Sequence, residues 1–243
     1  MKPIILITGS GRRIGASMAK FLHQRGYAIA IHCHRSLNEA HELAATCNTL
    51  ASNTAKVFSC DLQPSSNCEM LIQKVLAWKG SLHGLINNAS VFYQTPFDRT
   101  TNQDWDTICD SNLKAPFFLS YSAKDALIKT KGCIINITDI HASKPLKNYG
   151  IYCIAKAGLT MLTQVLAKEL APDVRVNAIA PGAILWPENE NQLTPLQQQA
   201  IIEKTALKTS GHPDYLSQTI LFLLENPFIT GQIIAVDGGR LLG

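Results

Sequence analysis

Tyr152 and Lys156 stand four residues apart in the run Tyr152-Cys153-Ile154-Ala155-Lys156. On a helix, that spacing puts both side chains on one face. A lysine ammonium beside a phenol lowers the cost of the phenolate, so a tyrosine with an ordinary pKa of about 10 is expected to exchange its proton nearer neutrality. In isolation Y-x-x-x-K is commonplace, and a solvated surface pair is the simplest reading. Asp139 adds a second acid-base group 13 residues earlier, at the end of the apolar run Cys133–Thr138.

A glycine-rich run, Thr8-Gly9-Ser10-Gly11-Arg12-Arg13-Ile14-Gly15, follows the apolar Ile4–Ile7. Glycines at 9, 11 and 15 allow a tight turn and close backbone approach, and the helix that follows offers free N–H groups to a pyrophosphate. Such a turn is weak evidence alone. Its place after the first strand of a βαβ unit makes dinucleotide binding the stronger reading over a plain turn. The tip of the second strand selects the dinucleotide. An acid there would bind the ribose diol of NAD, whereas arginine suits the 2′-phosphate of NADP. Here Ile29–His32 leads into Cys33-His34-Arg35-Ser36, with no acid. Arg35 can make paired charged hydrogen bonds to phosphate, Ser36 can add a hydroxyl, and Arg12 or Arg13 can add positive potential. NADPH is expected over NADH.

These groups need a scaffold that brings strand ends together. Short apolar runs alternate with longer helical patterns. Strands are expected at Ile4–Thr8, Ala28–His32, Ala55–Ser59, Gly84–Asn87, Cys133–Thr138, Arg175–Ile179 and Gln232–Val236. Between them, helical periodicity covers Ile14–Gln24, Leu37–Thr46, Asn67–Trp78, Asn102–Thr130, Tyr149–Leu170 and Tyr215–Leu224. Runs such as Ile-Ile-Leu-Ile are apolar without alternation, as in a parallel sheet covered on both faces. The expectation is an α/β fold: a Rossmann-type, doubly wound, parallel seven-stranded sheet forming one domain over residues 1–243. Pro181–Leu196, rich in Pro, Asn and Glu and carrying Trp186, Glu188 and Glu190, reads as a loop over the site, with the substrate loop set around 183–200.

With those residues in place, the chain resembles the short-chain dehydrogenase/reductase family over nearly its full length. The resemblance rests on Thr8-Gly9-x-x-x-Arg13-Ile14-Gly15, Asp61-Leu62, Asn87-Asn88-Ala89, Asn112, Tyr152-x-x-x-Lys156, Pro181-Gly182 and Asp237-Gly238-Gly239. It implies hydride transfer with Tyr152 as proton donor, Lys156 holding the nicotinamide ribose, and Asn112 supporting a relay water. It also implies that Asp61 and Leu62 border the adenine and that Asn88, Ala89, Ser90, Thr138, Pro181 and Gly182 line the cofactor.

Two departures sharpen the expectation. Most family members carry glycine at position 13 and serine at position 139, where this chain has Arg13 and Asp139. An ionised aspartate cannot donate to a carbonyl and repels a developing oxyanion, so it suits a substrate with N–H donors or ring nitrogens. The sequence is similar to the pteridine reductase branch in Arg13, His34-Arg35-Ser36, Asn87-Asn88-Ala89-Ser90-Val91-Phe92-Tyr93, and Asp139 with Tyr152 and Lys156. That resemblance implies a pterin stacked on Phe92 and touched by Arg13, Ser90, Asp139 and Tyr152; Trp186 offers such a pocket a further wall, or belongs to a plain solvated loop. The expected activity is NADPH-dependent reduction of a pterin C=N bond, dihydrofolate included. The enzymatic alternative is a 3-oxoacyl thioester reductase or other carbonyl reductase. A non-catalytic nucleotide sensor is the alternative of a different class.

Composition limits the partners. The 243 residues carry a net charge of only +4 at 46% hydrophobic content, which suits a packed domain and not a nucleic-acid binder. Seven cysteines without a C-x-x-C pair argue against a disulfide framework or a zinc site. The N-terminus lacks a signal-peptide core and no stretch approaches a membrane span, so a cytoplasmic protein is expected. Family resemblance implies a homotetramer built on the Asn102–Thr130 and Tyr149–Leu170 helices, with Arg240 near the chain end reaching a neighbour's pocket.

Overall fold

The computed structural model describes residues 2–188 and 192–243; Glu190, named with Trp186 and Glu188 in the loop over the site, lies outside them. The elements in order are β1 (Ile4–Ile7), α1 (Arg13–Gln24), β2 (Ala28–Cys33), α2 (Leu37–Leu50), β3 (Ala55–Ser59), α3 (Ser65–Lys79) and β4 (Gly84–Asn87). Then follow α4 (Asn102–Cys109), α5 (Ala115–Thr130), β5 (Cys133–Ile137), α6 (Gly150–Glu169), β6 (Arg175–Pro181), α7 (Pro195–Ile202), α8 (Pro213–Glu225) and β7 (Ile233–Val236). The strands form one seven-stranded sheet in the order β3-β2-β1-β4-β5-β6-β7, with every pairing parallel.

The unbroken apolar strands follow from this architecture. In β1, Ile5 and Ile7 join Met18, Leu22, Ala40, Leu216 and Ile220 in the core under α1, α2 and α8. Ile4 and Leu6 point the other way, into a core with Leu71, Val75, Leu119 and Leu127 from α3 and α5. Successive side chains alternate faces, and because both faces are dry, both sets must be apolar.

Two segments differ from the expected elements, and a third, a helix where one is expected, bears on the membrane-span reading. Asn102–Thr130 is not one helix: a π turn at Asp110–Lys114 separates α4 from α5. Pro116, at the start of α5, has no N–H to continue a regular ladder, and the wider turn accommodates the break. This turn seats Asn112 in the interior. Second, the segment expected as loop ends in α7, whose start is fixed by a capping box between Thr194 and Gln197. Third, α6 is apolar and long enough to cross a membrane by length and composition; half of that window is buried within the fold, where α6 packs on β6.

A buried polar chain crosses the central strands. Asn87 Nδ2 donates to Asn136 Oδ1 at 2.8 Å, and Asn136 Nδ2 donates to Thr163 Oγ1 at 2.9 Å, tying β4 to β5 and α6. Asn87 Oδ1 has no partner among the described residues. Asn136→Leu therefore strands the whole Asn87 amide and is expected to cost about 1–3 kcal/mol, read as a lower urea midpoint at unchanged m-value.

Candidate active site

Thr138 and Asp139 leave the end of β5, and a 3-10 turn, Ile140–Ala142, starts immediately after them. Asp139 divides its carboxylate between two tasks. Oδ1 caps that turn by accepting from His141 N at 2.8 Å, and Oδ2 accepts from the Tyr152 hydroxyl at 2.7 Å. Tyr152 sits in the first turn of α6, with Lys156 one turn on, as the spacing predicts. Lys156 is almost fully buried and its Nζ donates to the Ile137 carbonyl at 2.8 Å, lying 5.6 Å from the Tyr152 ring centroid.

The electrostatics correct one expectation. The Tyr152 pKa is not lowered by its lysine; it is raised well above the ordinary value, first by burial, then by the Asp139 charge and the hydrogen bond to Asp139. The Ser90 hydroxyl acts in the opposite sense. Lys156 itself pays for burial: desolvation brings its pKa down to about 8, with Asp139 opposing the shift. The resting pair is thus a neutral phenol donating to a carboxylate, beside a lysine held only moderately above neutrality.

Ser90 and Asn112 extend this cluster. Ser90 Oγ donates to Asn112 Oδ1 at 2.7 Å, and Asn112 Nδ2 donates to the Val91 and Ile108 carbonyls, each at 2.9 Å. Asn112 therefore fixes the hydroxyl that faces Tyr152. Phe92 stacks on Tyr149 at 4.5 Å between ring centroids and 12° between planes, and meets Tyr152 edge-on at 4.8 Å. Tyr149 escaped the sequence reading, although it stands three residues before Tyr152 at the start of the same helix.

The glycine-rich turn lies across the crevice. Gly9 has φ +62°, and a Cβ there would come within 2.9 Å of Ala89 Cα. Only glycine meets both conditions without strain. Asn88 braces the turn from β4: its Nδ2 donates to the Thr8 carbonyl at 2.8 Å and to that of Gly9 at 3.1 Å. Thr8 Oγ1 accepts from Asn88 N and Ala89 N, both at 2.9 Å. Gly11 lies against Ser36, and Gly15 packs against Asn88 and Ser10. Pro181 ends β6, and Gly182 N donates to the Val236 carbonyl at 3.0 Å, with the Asp237 main chain close by. Thr138 Oγ1 donates to the Ile179 carbonyl at 2.8 Å.

This arrangement fits a dinucleotide phosphate. The N-cap position of α1 is Arg12, which makes no side-chain cap, and the first turn holds no acid, so its N–H groups point outward uncapped. Ile14 lies in that turn. His34 and Arg35 are exposed at the tip of β2, and Arg35 has no ion-pair partner among the described residues. Asp61 is within 3.9 Å of His34 Nδ1, and Leu62 is buried beside it. The Arg12 and Arg13 guanidiniums both pair with Glu188, Arg12 at 3.7 Å. Arg13 Nη2 also donates to the Trp186 carbonyl at 2.8 Å. Trp186 thus reaches Arg13 through its main chain. Sequence reasoning named Glu188 only as a loop residue; an acid opposite two phosphate-directed arginines was the available signal.

A glycine-rich turn with uncapped helix N–H groups, on the same sheet edge as a buried tyrosine–lysine pair, is the arrangement of a dinucleotide-dependent oxidoreductase. Comparison with known proteins specifies the family. The family described as Enoyl-(Acyl carrier protein) reductase matches residues 9–240, and the chain belongs to the short-chain dehydrogenase/reductase family, whose reductases use nicotinamide cofactors. The 3-oxoacyl-(acyl-carrier-protein) reductase FabG of Rickettsia prowazekii is 36% identical over 242 residues, covering 98% of this chain and 96% of its own. The FabG of Rickettsia typhi is 35% identical with the same coverage. Pteridine reductase 1 of Leishmania tarentolae is 30% identical over 281 residues, covering 99% of this chain and 96% of its own. Overall identity therefore favours the carbonyl-reductase alternative over the pteridine reductase branch.

Glu188 holds the arginines that a pyrophosphate would need. Exposed ion pairs are worth at most about 1 kcal/mol, so Glu188→Gln is expected to tighten NADPH binding by about twofold to fivefold in a fluorescence titration. Weaker binding by the variant would mean that Glu188 assists the nucleotide.

Proposed function

We propose that this oxidoreductase reduces a C=N bond of a pterin with NADPH. The observation that carries the reading is the 2.7 Å hydrogen bond from Tyr152 to Asp139. A carbonyl substrate gains charge on oxygen during reduction and needs donors at that point. The carboxylate of Asp139 offers none when ionised, and its charge opposes such an oxyanion. A pterin presents N–H groups and ring nitrogens, for which a carboxylate is the matching acceptor.

The turn at Gly9–Gly15 and Arg35 would hold a nicotinamide dinucleotide, which when bound would supply hydride for a ring carbon. The adjacent nitrogen takes a proton, so C=N becomes CH–NH. Tyr152 is the acid, protonated at rest because its phenolate is disfavoured. Ser90 stands beside the Tyr152 hydroxyl, and turning its single proton from Asn112 Oδ1 to Tyr152 would support the phenolate when the proton leaves. Asp139 orients both the phenol and the nitrogen-bearing edge of the ring. Phe92 and Tyr149 form an aromatic wall beside Tyr152, where a flat ring gains stacking energy. Arg13 and the Trp186 loop close the other side.

The second reading is reduction of a 3-oxoacyl thioester, favoured by the higher identity of the Rickettsia relatives. Purified protein with NADPH and dihydrobiopterin, dihydromonapterin, dihydrofolate or a 3-oxoacyl thioester separates the two. Turnover of the thioester without absorbance loss on any pterin would overturn the pterin proposal. Homo-oligomerisation belongs to the same proposal. Phe117 and Tyr121 of α5 and Ile154, Met161 and Val165 of α6 are exposed and would face another copy, with Arg240 offered to its pocket.

Tyr152→Phe is expected to lower kcat by about 10²–10⁴-fold while the thermal midpoint stays near that of the parent. A nucleotide sensor would show no such loss. Asp139→Ser is expected to lower pterin kcat/KM by about 10²-fold, and gain of thioester activity would link position 139 directly to substrate choice. Lys156, with its pKa lowered to about 8, loses its positive charge as pH rises through that value. Pterin kcat/KM, which reports the free enzyme, should therefore fall about tenfold per pH unit above it, and a flat profile to pH 10 would remove Lys156 charge from the mechanism.

A further inference from the structure

The structure assigns a positioning role to His32: its imidazole, seated beneath the glycine-rich turn, locks the Gly9 peptide to the segment that precedes Asp61 and so preorganises the nucleotide site. The inference rests on the nicotinamide-dinucleotide reading above. It concerns a residue outside the expected site set.

His32 is the fifth residue of β2 and is 2% exposed. Its Nδ1 accepts from Gly9 N at 3.1 Å, and its Nε2 donates to the Cys60 carbonyl at 3.1 Å. The partners fix the chemistry. A backbone N–H can only donate and a carbonyl can only accept, so the ring must be the neutral form with its proton on Nε2. A second proton on Nδ1 would point at the Gly9 N–H. Burial opposes it strongly, holding the His32 pKa down at about 4, with the nearby His34 lowering it further and Cys60 and Asp61 opposing.

The main chain of the same residue takes the next donor, since Ser10 N donates to the His32 carbonyl at 2.8 Å. Two successive N–H groups of the turn are therefore directed down onto one residue. The groups left for a phosphate are those at the start of α1, which is where the helix dipole favours an anion. On the other side, Cys60 N is held by the Cys33 carbonyl at 3.1 Å, and Asp61 and Leu62 follow directly. One imidazole thus connects the two ends of the proposed nucleotide path, the pyrophosphate turn and the adenine border. An apolar residue would satisfy the packing of a buried strand position equally well and would leave the half-buried Gly9 N–H and Cys60 carbonyl without these bonds.

His32→Leu keeps comparable bulk and loses both bonds, whereas His32→Gln offers an amide oxygen for Gly9 and an amide N–H for Cys60. Expected for His32→Leu is an NADPH dissociation constant raised by about tenfold or more in a fluorescence titration. Its KM for NADPH should rise in step, with kcat at saturating NADPH reduced no more than about threefold. His32→Gln should restore affinity to within about threefold of the parent. Parent-like affinity in His32→Leu would overturn the role, as would equal losses in both variants that follow their thermal midpoints. If His32→Leu fails to fold, His32→Asn replaces it; its shorter amide cannot span both partners, and parent-like affinity in that variant also overturns the inference. Failure of the unaltered protein to bind NADPH would overturn the cofactor reading and this inference together. Binding by the parent with no loss in His32→Leu would overturn the positioning role alone.

Discussion

Because all seven strands run parallel, their carboxyl ends fall on one edge of the sheet, and segments far apart in sequence are obliged to meet there. The turn after β1, the basic tip of β2, Asp61 after β3, Asn88–Phe92 after β4 and Asp139 after β5 all leave that edge. Strand order reverses at β1, with β2 on one side and β4 on the other, and at that switch point Asn88 braces the glycine-rich turn. The hydrogen bonds at this junction run across it. Thr8 Oγ1 holds two N–H groups from the β4 end, and Asn88 returns its amide to Thr8 and Gly9. The phosphate site is consequently built by the sheet and not by the loop alone.

The same constraint puts a carboxylate against a phenol in a dry place. Burial raises the Tyr152 pKa, the Asp139 charge raises it further, and only Ser90 pulls down. Lys156 is drawn to the Ile137 carbonyl, so its ammonium supports the end of β5 as well as the site. A tyrosine in that state holds its proton at rest, and the same shift makes that proton harder to release until a neighbour supports the phenolate. Any reduction that ends in proton delivery, to oxygen or to nitrogen, starts from this neutral phenol. A mechanism that needed a resting phenolate would find it expensive here.

Much of this was legible in the chain. The unbroken apolar strands fixed the sheet class, since only a doubly covered parallel sheet excludes polar alternation at Ile4–Ile7. Tyr152 and Lys156 at helical spacing, the glycine turn and the acid-free tip at Arg35 each carried their chemistry in residue type and interval. What periodicity could not supply was long-range contact. The π turn at Asp110–Lys114 has the same apolar rhythm as the helices it divides, and only packing shows that Asn112 turns inward to Ser90. His32 looked like one more β-strand residue, because its two partners lie 23 and 28 residues away. The direction of the Tyr152 shift was misread for a related reason. Spacing places a lysine near a phenol, but desolvation depends on everything else packed around it.

Overall identity and site chemistry weigh different things. Identity of 35–36% to the Rickettsia reductases and 30% to the Leishmania pteridine reductase is taken over whole chains, most of whose length is scaffold that the fold itself requires. The two cores, the turn glycines and the Asn88 brace belong to that common requirement and leave the substrate unspecified. Discrimination between an oxyanion and a ring nitrogen falls on the few side chains that touch the reacting atoms. At position 139 a hydroxyl and a carboxylate differ by a full charge beside a nearly buried phenol, where solvent screens it poorly. A difference of that size at one atom acts directly on the charge of the reacting group, which is why the choice between the two substrates is tested at Asp139.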